Sequence, residues 1–258
     1  MALEKMRGRR ISVGETAVVI GAGRSGLAAA RLLNREGARV RLLDSNAQAF
    51  SGREDLASEL GQLGIVVELG PHSAAQFENA AFVVPSPGMP VARLDGLVDV
   101  EHTEILAEME LAWRYLDNEP VLAITGTSGK TTTASLAAAM LHEQGYSVFL
   151  GGNIGTPLSE YILSGRRADV LVLEISSFQL QTCTTFCPRV GILLNITPNH
   201  LDYHKDMEEY TEAKFRLFRC QTEEDLAVLG PGLEETAARF GLRARKVWIR
   251  PEGRFPDC

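Results

Sequence analysis

The chain has 258 residues, 45% of them hydrophobic and 23% charged, which is typical of a globular protein with enough apolar material for one large or two ordinary domains. Its formal net charge of -7 argues against a general binder of nucleic acid or anionic membranes, but a local basic pocket for a small anion remains compatible with it. No apolar signal-peptide core follows the basic amino terminus, and no run of 18 apolar residues occurs, so we expect a soluble, cytoplasmic protein.

The sequence contains four cysteines: Cys183, Cys187, Cys220 and Cys258. So few cysteines in a chain of this length do not make a disulfide scaffold, and no C-x-x-C pair indicates zinc. We therefore expect reduced thiols that fill space in the protein, although the spacing of Cys183 and Cys187 would also let them share one face of a helix.

The first hundred residues alternate short β-rich apolar runs with helical segments. Helical segments follow the first two predicted strands, and each stops at a glycine, as helices often do. This order is typical of a parallel sheet covered by helices on both faces, so the sequence predicts an α/β fold. The strands are predicted at residues 16–20, 39–44, 65–69 and 81–84.

Residues 103–116 carry apolar side chains at helical spacing, among them Ile105, Met109 and Trp113, and this pattern predicts a helix. We place a domain boundary near residue 103, with a first domain at residues 1–103 and a second at residues 104–258. No helix is predicted after the last strand of the second domain. The strands of that domain are predicted at residues 121–125, 146–150, 168–175, 189–196, 226–230 and 245–249.

A glycine loop with the spacing Gly21-x-Gly23-x-x-Gly26 follows the first strand, and Asp44 ends the next strand. Glycines at these positions allow the backbone to approach a diphosphate closely. The amino terminus of the following helix then stabilises the negative charge of the diphosphate. The pattern fits a Rossmann-like dinucleotide site. The same cradle would hold another nucleoside diphosphate, such as a UDP-sugar, and a purely structural turn is the third alternative.

A second glycine loop follows the strand at residues 121–125 and opens a helix, which is the context that a P-loop requires. Lys130 would neutralise the β- and γ-phosphates of a nucleoside triphosphate, and the Thr131 hydroxyl would ligate magnesium. Ala123 replaces the usual first glycine, so a turn without a nucleotide is the alternative. The predicted binding residues are Gly126, Thr127, Ser128, Gly129, Lys130, Thr131 and Thr132.

Glu174 ends an apolar strand, "DVLVLE", in the same predicted domain. P-loop folds place the acid that holds magnesium at such a position, so Glu174 supports the nucleotide interpretation. The alternative is a solvated acid at the rim of the sheet.

Five segments in this order resemble the Mur ligases of peptidoglycan synthesis: "AITGTSGKTTT" (123–133), "GGNIGTP" (151–157), "LEISSFQL" (173–180), "LLNITPNHLDYH" (193–204) and "YTEAKFRLF" (210–218). The "SSFQL" run, together with "SPGMP" (86–90), is similar to the branch that adds D-glutamate to UDP-N-acetylmuramoyl-L-alanine. The family commonly has alanine at the position of Ala123, whereas Ser128 stands where asparagine is more usual.

The resemblance implies an ATP-dependent amide ligase with two phosphate cradles. The Rossmann-like domain would bind the UDP-muramoyl substrate, with its glycine loop near the diphosphate and Asp44 near the uracil. The P-loop domain would bind ATP, whose γ-phosphate would pass to the substrate carboxylate and give an acyl phosphate for the amine of D-glutamate to attack. The implied substrate-binding residues are Gly21, Gly23, Arg24, Ser25, Gly26, Asp44, Ser86, Pro87, Gly88, Asn153 and Ser176.

The resemblance also implies two magnesium sites. Thr131 and Glu174 would hold the ion that bridges the β- and γ-phosphates, and His200 would hold a second ion on the acceptor side. Lys130 and Asn153 would act on the transferred phosphoryl group, while Asp202 with Tyr203 would shape the neighbouring loop. Taken alone, a histidine at such a strand end is more often a hydrogen-bonding loop residue than a ligand, and only the joint pattern favours a ligand.

Lys214 lies on one stripe of a predicted helix with Tyr210, Leu217 and Phe218. A bare ammonium there is costly unless it is paired or reaches solvent. The resemblance implies a carbamylated lysine, an anion that holds the second magnesium through water. The alternative is a lysine whose stem covers apolar surface while its head reaches water.

Two further functions compete with the ligase interpretation. One is an NAD-dependent oxidoreductase with an accidental P-loop, which gives Glu174, His200 and Lys214 no reason to occur together. The other is a binding or regulatory protein that keeps both sites without ligation. Because the resembled family has three domains and this sequence ends soon after Lys214, we expect a monomer with an incomplete second domain that binds both ligands but has little or no ligase activity by itself.

Overall fold

The computed structural model describes residues 7–201 and 203–250, so Asp202 and Cys258 lie outside the described residues. The chain forms two compact units, and each of them contains one parallel sheet. This arrangement confirms the α/β fold class predicted from the sequence. Within the described ranges, no helix combines the length and the apolar character needed to cross a bilayer.

The regular elements alternate along the chain as the sequence predicted. The strands are β1 (Thr16–Ile20), β2 (Arg39–Asp44), β3 (Val66–Leu69), β4 (Ala80–Val84), β5 (Glu104–Ile105), β6 (Val121–Thr125), β7 (Val148–Gly152), β8 (Val170–Glu174), β9 (Val190–Leu193), β10 (Leu226–Leu229) and β11 (Arg245–Trp248). The α-helices are α1 (Arg24–Arg35), α2 (Glu54–Gln62), α3 (Glu108–Trp113), α4 (Lys130–Glu143), α5 (Leu158–Ser164), α6 (Ser177–Gln181), α7 (Met207–Phe215) and α8 (Glu234–Arg239).

The first unit holds the sheet β3-β2-β1-β4-β5, in which every neighbouring pair is parallel. Its middle strand, β1, pairs with β2 on one side and β4 on the other. The loops after β1 and β4 therefore leave the carboxyl edge of the sheet where the connections change direction, which is where open α/β sheets bind ligands. Helix α1 covers the sheet with fully buried side chains such as Leu32 and Leu33.

The region at residues 103–116 corrects one sequence prediction. Instead of one helix, it contains the short strand β5 followed by helix α3. Residues Glu104 and Ile105 pair in parallel with Phe82 and Val83, and Ile105 packs against the core of the sheet. A backbone ladder to β4 replaces helical bonds there, and this is a long-range effect that apolar spacing does not reveal.

The first unit continues past residue 103, where we expected a domain boundary, and reaches Asp117. All six residues of α3 are buried. The segments Thr156–Arg166, which contains α5, and Thr182–Thr185 also belong to this unit. The carboxylate of Glu108 in α3 accepts a hydrogen bond of 2.6 Å from the backbone N–H of Ser159 in the first turn of α5. A buried side chain thus caps a helix contributed by a distant part of the chain.

The second unit holds the sheet β11-β10-β9-β6-β8-β7, again parallel throughout. Strand β6 lies between β8 and β9, so the loop that follows β6 emerges beside the ends of both neighbours. Helix α4 packs Ala134 and Ala138 against Ile124 and Val172 of the sheet. The small alanine side chains allow the helix to lie close to the strands.

The cysteines agree with the expectation of reduced thiols but not with the alternative in which Cys183 and Cys187 share a helix face. Within the described chain, Cys183, Cys187 and Cys220 form no disulfide. Burial raises the pKa of Cys187 to about 12, so this thiol is not a reactive one at neutral pH. Helix α6 ends at Gln181. Cys183 and Cys187 consequently do not share a helix face, and the interpretation as space-filling residues fits better.

Candidate functional site

The phosphate loop of the second unit runs from Gly126 to Gly129, between the end of β6 and the start of α4. Gly129 caps the helix with a φ of 83°, in the left-handed region that glycine adopts without steric cost. The backbone amides of the first helical residues, Lys130, Thr131 and Thr132, have no hydrogen-bond acceptor within the described chain. Three open donors at the positive end of a helix dipole form an anion site.

Lys130 stands at this helix start, as the P-loop prediction requires. Its Nζ atom donates to the carbonyl oxygens of Gly126 and Thr127, at 3.0 Å each. The ammonium thus lies over the loop that the open amides border. Lys130 is thus held where the charge of a polyphosphate would need a cation.

Asn195 holds the loop in shape, and the sequence analysis did not identify it. Its Oδ1 accepts from the backbone N–H groups of Thr127 and Ser128, at 3.1 and 3.0 Å, and its Nδ2 donates to the carbonyl oxygen of Ser128 at 3.2 Å. Asn195 follows the end of β9 and lies inside the quoted motif "LLNITPNHLDYH", so the signal was present. Its role depends on the neighbouring position of β6 and β9, which the sequence does not show.

Glu174 ends β8 beside the phosphate loop and is almost fully buried. Its two carboxylate oxygens accept hydrogen bonds from Thr131 Oγ1, at 2.6 Å, and from Asn153 Nδ2, at 2.8 Å. The structure therefore brings together three residues that the sequence analysis selected from separate motifs. It excludes a solvated acid at the sheet rim.

The donor set at Glu174 fits a magnesium ion. A carboxylate and a hydroxyl oxygen are hard ligands of the kind that Mg²⁺ prefers. Glu174 has no cationic partner within ion-pair distance among the described residues, although it is only 2% exposed. A buried carboxylate without a counter-charge is costly, and a bound divalent cation would offset that cost.

Lys214 in α7 is buried, with 1% of its surface exposed, together with Tyr210, Leu217 and Phe218. Its Nζ donates to the carbonyl oxygen of Gly126 at 2.8 Å and lies 4.6 Å from the centre of the Tyr210 ring. The stripe predicted from the sequence is therefore buried, and Lys214 within it contacts the phosphate loop. The head of Lys214 does not reach solvent, which excludes the alternative in which only its stem is covered.

The pKa of Lys214 is lowered from 10.5 to about 7, first by burial and then by the nearby charge of Lys130. Burial disfavours the charged form of an amine, and a second ammonium adds repulsion. A large fraction of Lys214 is therefore a neutral amine at neutral pH. A neutral amine is nucleophilic, whereas an ammonium is not.

His200 begins the turn that leads towards α7. It adopts a φ of 55°, and its ring packs at 4.8 Å from Phe178 of α6 and at 6.3 Å from Tyr210. The Tyr210 hydroxyl in turn forms a hydrogen bond of 3.1 Å with Thr127 Oγ1 in the phosphate loop. An aromatic contact and a hydrogen bond thus connect His200 with the loop.

Two residues beside His200 stabilise its turn. Tyr203 packs on Phe178 with ring centres 4.0 Å apart, and its role in shaping the loop stays a prediction. His204, which the sequence analysis did not select, is buried, donates its backbone N–H to the His200 carbonyl, and lies 3.0 Å from Ser177 Oγ through Nε2. Asp202, the other residue assigned to this loop, falls outside the described part of the chain.

Ser176 lies in the turn between β8 and α6. Its hydroxyl donates to Gln179 Oε1 at 3.0 Å and accepts from the Gln179 backbone N–H at 3.3 Å. These local bonds shape the start of α6. The described contacts therefore give Ser176 a structural explanation, and its substrate role stays a prediction.

The glycine loop of the first unit has the close packing that its spacing predicts. A Cβ atom on Gly26 would lie 1.9 Å from the carbonyl oxygen of Gly21, so no other residue fits there. Gly21 has a φ of 99° and lies beside Ser86, which follows β4. The structure brings the loop after β1 and the "SPGMP" segment to the same sheet edge. Pro87 and Gly88 continue the turn, in which the Met89 N–H donates to the Ser86 carbonyl.

Asp44 and Arg24 flank this loop. The Asp44 carboxylate accepts from the backbone N–H of Ala22 at 2.7 Å and from that of Asn46 at 2.8 Å. Arg24, in the first turn of α1 next to Ser25, forms an ion pair of 3.2 Å with Glu160 of α5. Asp44 thus has a structural function in the loop, and any contact with uracil stays a prediction.

A parallel sheet whose central strand runs into a lysine-bearing phosphate loop, with a buried acid ending the adjacent strand, defines the P-loop class of α/β proteins. The family described as "Mur ligase middle domain" matches residues 124–246. The family described as "Mur ligase MurD-like, N-terminal domain" matches residues 15–102. The chain belongs to the Mur ligase family, as the resemblance in its motifs indicated.

Several relatives share the name UDP-N-acetylmuramoylalanine--D-glutamate ligase. The protein of that name from Desulfovibrio desulfuricans is 84% identical over 255 residues, which is 99% of this chain and 59% of the relative. The one from Lawsonia intracellularis is 50% identical and matches 92% of this chain and 53% of its own length. This chain therefore spans somewhat more than half the length of these relatives.

Solved structures share the fold at low sequence identity. The crystal structure of the UDP-N-acetylmuramate:L-alanyl-gamma-D-glutamyl-meso-diaminopimelate ligase from Neisseria meningitides matches with a TM-score of 0.54 and 21% identity, over 91% of this chain and 78% of that one. A murein peptide ligase from Psychrobacter arcticus matches with a TM-score of 0.50 and 20% identity, over 92% and 53%. Both similarities concern the fold alone.

Proposed function

We propose that this chain provides the substrate-binding and ATP-binding units of a ligase that adds D-glutamate to UDP-N-acetylmuramoyl-L-alanine in peptidoglycan precursor synthesis. The observation that carries the proposal is the buried Glu174 carboxylate, held by Thr131 and Asn153 beside a phosphate loop that Lys214 also contacts. The names of the highly identical relatives support D-glutamate as the incoming amino acid.

The second unit binds ATP through the open amides of Lys130, Thr131 and Thr132. Lys130 offsets the negative charge of the β- and γ-phosphates, and Asn195 keeps the loop in its binding shape. Magnesium held by Thr131 and Glu174 would neutralise the remaining phosphate charge. Asn153, which donates to Glu174, orients that carboxylate, and His200 lies at the second metal position that we propose.

The reaction has two steps. An oxygen of the terminal carboxylate of UDP-N-acetylmuramoyl-L-alanine attacks the γ-phosphorus of ATP, a P–O bond forms, and ADP leaves with the electrons of the broken bond. The amine of D-glutamate then attacks the acyl carbon, a C–N bond forms, the C–O bond to the phosphate breaks, and inorganic phosphate leaves while the amine loses a proton to solvent. Lys130 stabilises the charge that develops on the transferred phosphoryl group.

Lys214 takes part as a carbamate in this proposal. Its amine, neutral in part at pH 7, attacks carbon dioxide, a C–N bond forms, and the lost proton passes to solvent. The product is an anion buried next to Lys130 and the phosphate loop, where the positive charge of Lys130 stabilises it. Such an anion is suited to hold the second magnesium through water.

The first unit binds the UDP moiety at its glycine loop. Gly23 leaves space for the diphosphate at the amino terminus of α1, whereas Gly21 and Gly26 allow the close packing of the loop. Arg24 and Ser25 lie in the first turn of that helix. The Ser86-Pro87-Gly88 turn borders the same edge. A monomer in the cytoplasm is the state that we propose for the protein.

Calorimetric titration of the 258-residue chain tests both units separately. We expect binding of UDP-N-acetylmuramoyl-L-alanine without nucleotide, binding of Mg-ATP without that substrate, and no fluorescence change with NADH. Glu174→Gln should weaken Mg-ATP binding and leave the UDP-substrate affinity unchanged. A folded sample that binds NADH but neither proposed ligand would contradict the proposal.

The carbamate has its own test, with a readout that does not require turnover. In ¹³C-labelled bicarbonate at pH 8, the parent chain should show a carbamate ¹³C resonance that is absent from Lys214→Arg, because a guanidinium does not react. Lys246→Arg, which changes an exposed lysine of the same unit, should keep the resonance. If both variants lost the carbamate resonance, or if the parent chain did not show it, the assignment of a carbamate to Lys214 would be wrong.

A further inference from the structure

Arg53 reaches the glycine loop of the first unit from the start of α2. Its Nη1 atom donates to the carbonyl oxygen of Ala22, at 3.3 Å, and to that of Ala49, at 3.4 Å. The guanidinium also lies 5.6 Å from the centre of the Phe50 ring. None of the sequence motifs includes Arg53, and only the fold brings it to the loop.

Two side chains form hydrogen bonds with the backbone of Ala22, the loop residue that Arg53 contacts. Asp44 accepts the N–H of Ala22, and Arg53 donates to the carbonyl of the same residue. The next residue, Gly23, is the N-cap of α1, and the diphosphate is proposed to bind at the start of this helix. Arg53 thus places a positive charge one residue from the start of the helix that would receive an anion.

Arg53 forms no ion pair with the other described charged side chains around the loop. Asp44 carries one negative charge, and Arg24 forms an ion pair with Glu160. Arg53 has no carboxylate within ion-pair distance among the residues that the structure describes. A diphosphate is bound best by a cation that is not already paired with a carboxylate, as Arg24 is with Glu160. At this loop, Arg53 is such a cation.

We infer that Arg53 is a binding residue for the diphosphate of the UDP-substrate, an inference that rests on the function proposed for the first unit. The guanidinium exchanges its weak contacts with two carbonyl oxygens for charge-assisted hydrogen bonds to phosphate oxygens. A structural function explains it less well, because Arg53 is exposed and its side chain makes no capping hydrogen bond to α2.

The experiment compares UDP with uridine, because these ligands differ only in the diphosphate. Arg53→Gln should weaken UDP binding by about tenfold, since one charge-assisted contact is lost, and leave uridine affinity unchanged. Arg53→Lys, which keeps the charge without the planar guanidinium, should lose part of the UDP affinity. Rising salt should reduce the difference between the parent and Arg53→Gln.

Arg39→Gln is the matched control. Arg39 is also an exposed arginine of the first unit that donates to a backbone carbonyl, that of Gly14, at 2.8 Å. It lies at the amino end of β2, whereas Asp44 and the glycine loop lie at the carboxyl edge. Its removal changes the net charge equally, and we expect UDP binding to stay at the parent level.

Three results from the variants would overturn the inference. UDP affinity equal to that of the parent in Arg53→Gln would exclude a diphosphate contact. An equal loss for UDP and uridine would show that Arg53 only supports the loop, and an equal loss in Arg39→Gln would show a general charge effect. If the folded parent bound no UDP at all, both the function proposed for the first unit and the inference would fail. This outcome differs from the other three, in which the parent binds UDP.

Discussion

Lys214 Nζ lies 2.8 Å from the carbonyl oxygen of Gly126, and Lys130 Nζ lies 3.0 Å from the same oxygen. Two lysines from different helices therefore meet at the first residue of the phosphate loop. Two ammonium groups repel each other at such a position, and burial adds to the effect on Lys214. Burial and this repulsion lower the pKa of Lys214 to about 7, so Lys214 is the amine that loses its proton near neutral pH.

Lys130→Ala should weaken Mg-ATP binding by at least about tenfold, because the charge-assisted contact to the phosphates is lost. Calorimetric titration measures the change. Lys246→Ala is a suitable control, since Lys246 Nζ also donates to a carbonyl, that of Leu242 at 2.7 Å, and precedes no phosphate loop. Equal affinities of the parent and Lys130→Ala would show that the loop does not bind the nucleotide as proposed.

Lys214 should make the free energy of unfolding depend on pH. Its pKa is about 7 in the folded chain and 10.5 ordinarily, so between these values the unfolded chain binds a proton that the folded chain releases. The contribution of Lys214 to the free energy of unfolding therefore rises as the pH rises from about 7 to 10.5. Below pH 7 both states bind the proton, and this gain is absent. Urea unfolding without carbon dioxide should show the parent gaining about 2 kcal/mol relative to Lys214→Met between pH 7 and 9. Parallel pH profiles of the two proteins would contradict this.

Asn195→Asp should keep the folded loop but weaken Mg-ATP binding by about tenfold. The aspartate still accepts the amides of Thr127 and Ser128, while it loses the donor to the Ser128 carbonyl and adds a negative charge beside the phosphates. Gln144→Glu, which adds the same charge at the opposite end of α4, should bind as the parent does. The hypothesis fails if both variants lose affinity to the same extent.

Arg114 and Glu110 form a buried ion pair of 3.2 Å in the first unit, where both side chains are at most 1% exposed. Arg114→Met should cost about 3–5 kcal/mol of unfolding free energy, because Glu110 is left charged and buried. Replacing both, as Glu110→Gln with Arg114→Met, should recover part of the loss. Urea denaturation followed by circular dichroism measures each step, and a double variant less stable than Arg114→Met would argue against this cause.

Local patterns explain why so many elements were predicted correctly. The strands β1, β2 and β6 have the bounds expected from the sequence, because each is a short β-rich run closed by a glycine or an acidic residue. Strand β5 was not predicted. Its two residues are compatible with a helix by spacing, and only the ladder to Phe82 and Val83 decides their conformation.

The sequence by itself determined the two glycine loops, the order of strands and helices, and the family, because these features depend on residues close together in the chain. The tertiary structure alone decided which distant side chains complete the loops. Lys214 is 88 residues from Gly126, and Asn195 is 68 residues from Thr127. Arg53 is 31 residues from Ala22. Each pair meets because parallel sheets bring separate strand ends to one edge, and burial there then sets the charge of Lys214.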